Sequence, residues 1–243
     1  MKYASTLLFI VLLLFGCGDS ETTQDISLNF SLTYDGEPLV MTQDYTYPDG
    51  KLIRFNRVSF FLSDIELEAD GKTIPLSEVQ MVNLTRSHLD EASAREGLTI
   101  DLGEVEATNV TGMSFDLGLQ DSQNAQSPDA YPTDSPLANS AEYWVGWQSY
   151  IYYKIEGFVD MDGDNEPEET VALHIGSNPV RREIVVDELG GSGQVQMVID
   201  LKDVFDNNGI FDLEASPRIH HLGQLEQAGV IADNLANALR VAR

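Results

Sequence analysis

Apolar and polar residues alternate along much of this chain, and this period of two restricts the fold to one built mainly of β-strands. The clearest segment runs from Ile26 to Tyr34, where large apolar residues alternate with small polar ones. That pattern is typical of a strand with one buried face. Comparable segments, separated by short turns, predict further strands over residues 58–67, 98–102, 113–119, 149–159, 170–175, 182–186 and 194–201.

Many strands joined by short turns favour an antiparallel β-sandwich. Two segments interrupt the strands: residues 87–96, and a long mid-chain loop over residues 121–139 that is rich in Ser, Asp, Pro and Ala. Between Leu222 and Leu239, apolar residues recur at spacings of three and four, which predicts an amphipathic C-terminal helix. No linker divides residues 26–243, so we expect a single domain with this helix packed on the sandwich.

The N-terminus has the pattern of an export signal. A basic start is followed by an apolar run that is shorter than the roughly 20 residues of a transmembrane helix, and the run ends at Gly16-Cys17. This ending resembles a bacterial lipobox, so we expect residues 1–17 to be a lipoprotein signal peptide and Cys17 to carry the lipid. Residues 18–25 are expected to be a flexible tether. The expected location is the bacterial cell envelope, in the periplasm or on the outer-membrane surface; the alternative for Cys17 is a buried free cysteine.

Charge and motif content exclude several functions. The formal net charge of -26 disfavours nucleic acid and other phosphate-rich partners. Cys17 is the only cysteine, so the mature chain is expected to have no disulfide and no thiolate metal site. No nucleophile elbow, phosphate-binding loop or zinc-protease motif occurs in the sequence. We therefore expect no catalytic residues and a protein that is not an enzyme; a hydrolase built on paired carboxylates is the weakest alternative.

The scarce histidines are the candidate transition-metal ligands. Without a mature cysteine, a copper or zinc site must be built mainly from imidazole. His174 lies at the end of a predicted strand, and the adjacent His220 and His221 precede the C-terminal helix, which could fold back toward His174. The alternative is that these histidines cap or hydrogen-bond loops.

A second candidate site contains only carboxylates. Asp160, Asp162 and Asp164 alternate in a turn and could place hard oxygen ligands around one calcium ion. The turn departs from an EF-hand loop because Asn165 stands where glycine is expected and Val171 where glutamate is expected. A solvated acidic turn is the alternative.

Several motifs resemble a known family. Residues 143–157 contain two tryptophans and then a Ser-Tyr-x-x-x-Lys-x-Glu-Gly strand that resembles a segment of the MbnP-like family of copper-binding periplasmic proteins. Residues 57–65 are similar to an early strand of that family, residues 174–176 to its His-Ile-Gly, and residues 231–235 to its closing helix. The similarity extends from Ile26 to the end of the chain.

The resemblance implies a copper site of histidines joined by a tryptophan that a di-haem cytochrome-c-peroxidase-like partner oxidises to kynurenine. Trp144 and Trp147 are both candidates, because their spacing of three differs from the family's spacing of two. Both could instead be core aromatics. The competing function is a calcium-stabilised binding or adhesion module for sugar or protein, using the mid-chain loop and exposed aromatics such as Tyr131, Tyr143 and Tyr150.

Overall fold

The alternating segment near the start of the described chain is a strand with one fully buried face. In the computed structural model, which describes residues 23–145, 147–187, 189 and 193–242, this strand, β1, covers Thr23–Tyr34. Its alternate apolar residues from Ile26 to Leu32 are all 0% exposed. The period of two therefore predicts both the strand and its buried side.

The other strands of the described residues follow in chain order. They are β2 (Glu37–Pro38), β3 (Asp44–Thr46), β4 (Leu52–Ala69), β5 (Lys72–Asn83), β6 (Leu98–Glu106), β7 (Val110–Leu117), β8 (Tyr143–Trp144), β9 (Ser149–Val159), β10 (Glu169–Gly176), β11 (Arg182–Asp187), β12 (Gln194–Asp200), β13 (Arg218–Ile219) and β14 (Leu239–Val241). The α-helices are α1 (Glu91–Glu96), α2 (Asp121–Asn124), α3 (Leu201–Phe205) and α4 (Leu225–Ala238).

The strands form two sheets that pack as a sandwich. In the first sheet the order is β14-β12-β1-β2, with β6 also paired to β1. In the second the order is β11-β7-β4-β9-β10-β13, and β3, β5 and β8 pair with strands of this path. The ring of Phe30 on β1 packs edge-on against Phe60 and Phe115 of the second sheet, with centroids 5.4 and 6.4 Å away. The predicted mainly β sandwich is confirmed.

The sheets are mixed rather than wholly antiparallel. β1 pairs in parallel with β12, and β10 pairs in parallel with β13. Both pairings join strands that are distant in the chain. No hairpin turn connects these strands, so no local sequence pattern predicts that they pair. The second pairing places part of the candidate metal centre.

The sequence predicts the C-terminal helix, but it does not predict the short helices in the two segments that interrupt the strands. Helix α4 packs its buried residues, among them Ile231 and Leu235, onto the core, as its spacing predicts. Residues 87–96 contain α1, which begins at Asp90 with a capping box to Ser93. The mid-chain loop contains α2 and short 3₁₀ turns. Strand β5 is not predicted because only one of its twelve residues, Val82, is fully buried.

The N-terminal predictions fall mostly outside this structure. The signal peptide, Cys17 and residues 18–22 of the tether lie outside the described residues. The tether prediction is wrong for Thr23, Gln24 and Asp25, which belong to β1 and pair with β6. None of the described helices is long and apolar enough to cross a membrane.

Candidate metal centre

The face of the second sheet turned away from the core carries a row of ionisable side chains. On β9, Lys154 and Glu156 share this face, while Ile155 between them is buried in the core. On β10, His174 lies directly opposite Lys154. On β4, Arg57 lies opposite Glu156. The Lys-x-Glu spacing thus places two charges beside a histidine.

The parallel pairing of β10 with β13 brings two histidines together. Leu173 pairs with Ile219, and both are 0% exposed, so the residue that follows each of them, His174 on β10 and His220 just after β13, lies on the opposite face. The two imidazole centroids are 5.2 Å apart, with an interplanar angle of 67°. The pairing therefore brings His220, but not His221, into contact with His174.

Trp144 on β8 completes an aromatic group with these histidines. Its indole lies 5.8 Å from the His220 ring at an interplanar angle of 9°, and 6.3 Å from the His174 ring. The residue is 39% exposed, so one side of the group is open to solvent. We call these three residues the His174–His220–Trp144 cluster.

The ring nitrogens of the two histidines differ in whether they have a hydrogen-bond partner. Nε2 of His174 donates a hydrogen bond to Oε1 of Glu156 over 2.6 Å. Nδ1 of His174 and Nδ1 of His220 are both buried and have no hydrogen-bond partner among the residues that the structure describes. Buried polar atoms of native proteins nearly always have partners, so these two nitrogens in adjacent rings are candidate metal ligands.

The lowered pKa of His220 suits a metal ligand. Burial lowers the pKa of His220, and the neighbouring His174, Arg218 and His221 lower it further. A neutral imidazole keeps the nitrogen lone pair that a metal needs. Two imidazoles that bind one ion at about 2.0 Å each have centroids no more than roughly 6 Å apart, and the observed 5.2 Å satisfies this limit. The cluster therefore fits copper or zinc.

A buried ion-pair network joins the Trp144 segment to the sheet. Glu142, in the 3₁₀ turn just before β8, is 2% exposed and lies 2.7 Å from both Arg57 and Lys154. Lys154 Nζ also donates to the carbonyl oxygen of Ala141 over 2.7 Å. Removing one member of such a network leaves a buried charge unpaired. The network thus ties Glu142, two residues before Trp144, to the strands β4 and β9.

The remaining predicted residues are not in the cluster. His221 is exposed, and its Nδ1 accepts a hydrogen bond from the backbone N–H of Gly223 over 3.1 Å. Trp147 lies in the turn after β8, and its indole Nε1, which can only donate, is buried without a partner among the described residues. The structure therefore brings together His174, His220 and Trp144, and leaves out His221 and Trp147.

Glu156, Glu142 and Arg57 were not predicted as site residues. In the sequence, Glu156 and Lys154 belong to the Ser-Tyr-x-x-x-Lys-x-Glu-Gly motif, which by itself indicates no role for either residue. Their alternate spacing on a predicted strand was a usable signal, because it places both side chains on one face. No signal marks Glu142, since a glutamate in a polar segment is normally exposed.

The acidic turn forms a second, separate cluster. Asp160, Asp162, Asp164 and Glu168 each offer one carboxylate oxygen, and these oxygens lie within 4.8 Å of one another. Asp160 is 3% exposed, and its carboxylate accepts the backbone N–H groups of Gly163 and Asn165. Loss of hydration and the nearby aspartates raise the pKa of Glu168. The cluster has the oxygen donors that a hard cation requires.

Asn165 stands where an EF-hand loop has glycine, and its backbone adopts the conformation that this position requires. It adopts a positive φ of 70°, a conformation that asparagine tolerates better than most residues. The turn therefore closes without glycine at this position.

The aromatics proposed for an adhesion surface are largely inside the protein. Tyr150 is 0% exposed, and its hydroxyl donates to the carbonyl oxygen of Leu137 over 2.5 Å. Tyr131 and Tyr143 are partly buried and pack edge-on against the Tyr150 ring. The prediction of an exposed Tyr150 was wrong, because this residue faces the contact between the mid-chain segment and β9.

Comparison with known proteins bears on the family and the fold of this chain. The sequence model of the MbnP family matches residues 23–221. Among solved structures, MbnP from Methylosinus trichosporium is similar to this chain, with a TM-score of 0.57 and 16% identity over 76% of this chain and 78% of that one. At this identity the similarity concerns the fold. No curated protein matches the sequence.

Proposed function

Because this chain belongs to the MbnP family, we propose that it is a copper-binding protein of the bacterial cell envelope. In this proposal, Nδ1 of His174 and Nδ1 of His220 bind Cu(I). The observation that carries it is the pair of buried, unpartnered nitrogens in rings whose centroids are 5.2 Å apart. The protein's role is to hold or deliver the ion, not to catalyse a reaction.

The surroundings of the cluster support a copper-binding role. Imidazole is a good ligand for copper, and the formal net charge of -26 raises the local concentration of cations around the protein. Trp144 is 39% exposed and lies against His220, so the cluster is reachable from the surface. A metal carrier needs such access, because it must load and release its ion.

Trp144 is the proposed site of oxidation to kynurenine. In the reaction we propose, a di-haem cytochrome-c-peroxidase-like partner uses peroxide as oxidant. Two peroxide molecules each give one oxygen atom and are reduced to water; one oxygen bonds to C2 and one to C3 of the indole, and the C2–C3 bond breaks to give N-formylkynurenine. Hydrolysis by one water molecule then releases formate and frees the aryl amine of kynurenine. That amine would lie beside His220 and could become a third ligand. Contact of Trp144 with both imidazoles favours it over Trp147.

The anchor is a further part of the proposal. Cys17 follows a short apolar segment in the sequence and would attach the mature protein to a membrane through a lipid. Residues 18–22 would then separate the lipid from β1. Mass analysis of the N-terminal peptide from host membranes tests this, since an unmodified Cys17 would contradict it.

The direct test is a competition titration of the metal-free protein with Cu(I) and a chromogenic chelator. We expect saturation at one ion per chain in the wild type and strong loss of affinity in His174→Ala and His220→Ala. Undiminished affinity in both variants would reject the proposed ligands.

A calcium-stabilised binding module is the second candidate function. It rests on the four carboxylates of the acidic turn, whose donor oxygens lie within 4.8 Å of one another. It predicts calcium-dependent stability without Cu(I) affinity. The two functions occupy different places in the sandwich, so one titration series with each ion separates them.

A further inference from the structure

We infer that Glu156 is a positioning residue that holds His174 in the Nε2–H tautomer and so leaves the Nδ1 lone pair free to bind a metal. This inference rests on the proposed copper function for its purpose, but the tautomer itself can be measured without any metal. The inference also gives a role to Glu156 in the Lys-x-Glu motif of β9, since neither residue of this motif is a proposed metal ligand.

The hydrogen-bond geometry carries the first step. Oε1 of Glu156 lies 2.6 Å from Nε2 of His174, within the range of a charge-assisted hydrogen bond. An ionised carboxylate can only accept, so Nε2 must carry the hydrogen. In a neutral imidazole, Nδ1 then has the lone pair. Metal-binding histidines commonly donate their other ring N–H to a carboxylate in this way.

The opposite tautomer is disfavoured at both ring nitrogens. It would place the Nε2 lone pair against the Glu156 carboxylate. It would also put a hydrogen on Nδ1, which is buried and has no acceptor among the described residues. Both changes cost free energy, because a buried donor without an acceptor loses its hydration and gains nothing in return.

The neighbouring charges keep Glu156 an acceptor. The positive charges of Arg57 and Lys154 favour the ionised form of the Glu156 carboxylate, which can only accept a hydrogen bond. Arg57 is the direct cross-strand partner of Glu156, and Lys154 lies two residues away on β9. Both cations also pair with Glu142, so their positions are held independently of Glu156.

The experiment measures the His174 tautomer by long-range ¹H–¹⁵N NMR of the ¹⁵N-histidine-labelled, metal-free protein at neutral pH. We expect the Nε2–H form in the wild type and a mixture of tautomers in Glu156→Val. Glu156→Gln should restore the Nε2–H form, since its amide oxygen can still accept. Glu183→Val, the same substitution at an exposed position of β11, is the matched control and should leave the His174 signals unchanged.

The same variants are then titrated with Cu(I). Loss of an outer-shell partner typically weakens metal binding roughly tenfold to a hundredfold, and we expect a loss of this size in Glu156→Val, a smaller one in Glu156→Gln and none in Glu183→Val. A wild-type His174 in the Nδ1–H form, or an unchanged tautomer in Glu156→Val, overturns the inference. If the wild type has the Nε2–H tautomer but binds no Cu(I), the copper proposal is overturned. The positioning of His174 by Glu156 would still stand.

Discussion

The indole of Trp144 lies almost parallel to the imidazole of His220, at an interplanar angle of 9° and a centroid distance of 5.8 Å. This relationship separates two tryptophans that are three residues apart in the sequence. Trp144 contacts both candidate ligands and is 39% exposed, whereas the indole nitrogen of Trp147 is buried. The site of an oxidative modification can therefore be predicted from position rather than from spacing.

We predict that kynurenine forms at Trp144 and not at Trp147. An oxidant reaches the exposed ring more readily, and the resulting amine would lie beside the histidines. Mass spectrometry of the peptide spanning both residues, purified from the native host, measures the position. Trp147→Phe should retain the modification and Trp144→Phe should lose it. Modification of Trp147 alone would contradict the assignment.

We predict unequal effects of the three candidate histidines on Cu(I) affinity. His174→Ala and His220→Ala should each weaken binding by more than the roughly tenfold to hundredfold seen for outer-shell partners, because each removes a ligand. His221→Ala is the matched control and should bind nearly as the wild type, since His221 is exposed and its Nδ1 already accepts from Gly223. Competition titration gives the three constants. Equal losses in all three variants would return His221 to the ligand set.

The sequence predicts the strands well but not the contacts between distant strands. Alternation identifies β1, because this strand buries alternate side chains against the core. The proximity of His174 and His220 depends instead on the parallel pairing of β10 with β13. Such a pairing is formed by long-range packing and has no local pattern in the chain. The scarcity of histidines identifies them as candidate ligands, but the sequence alone does not establish that His174 and His220 are in contact.

The burial of charged residues is also not predicted by the sequence. Glu142 is 2% exposed and belongs to a buried ion-pair network, yet glutamates are usually at the surface. Its partners, Arg57 and Lys154, come from the strands β4 and β9. Only the assembled sheet shows that these charges meet and that they hold the Trp144 segment.

We predict that Gly157→Ala destabilises the fold near the cluster. A Cβ at Gly157 would meet the backbone oxygen of Arg54 at a distance no folded protein tolerates, so β4 and β9 would have to separate. Overpacking of this kind costs roughly 1–3 kcal/mol of unfolding free energy. Gly229→Ala in α4 is the control, because nothing lies within 4 Å of its added Cβ. It should stabilise the protein by about 0.5–1 kcal/mol through helix propensity. Urea unfolding measures both, and an unaffected Gly157→Ala would refute the close approach.

We predict that calcium stabilises the protein through the acidic turn. A ligand that binds only the folded state at about 100 times its Kd adds about 2.7 kcal/mol. Thermal unfolding with calcium and with a chelator should therefore give different midpoints in the wild type. Glu168→Gln should reduce the difference, because it removes one of the clustered carboxylates. Glu166→Gln, in the same turn but outside the cluster, should not. Equal midpoints for the wild type in both conditions would leave the turn without a calcium role.

We predict that His88, outside the cluster, makes the fold sensitive to acid. His88 is 0% exposed; its Nδ1–H donates to the carbonyl oxygen of Leu84, and its Nε2 accepts the backbone N–H of Leu32 over 2.8 Å. Burial lowers its pKa below the ordinary value of 6.5. Protonation would remove the acceptor that Leu32 uses and would place a charge in the core.

The direction of the effect follows from proton linkage. Between the lowered pKa and the unfolded value of 6.5, the unfolded chain binds more protons than the folded one, so the free energy of unfolding falls as pH falls through this range. Urea unfolding of the wild type and His88→Gln, from about pH 7.5 to pH 5.5, measures it. The variant should be less stable near neutral pH, by about 1–3 kcal/mol, because it loses buried hydrogen bonds. Its stability should also fall less steeply toward acid. The difference between the two slopes isolates His88 from the many surface carboxylates, and equal slopes would show that His88 does not titrate in this range.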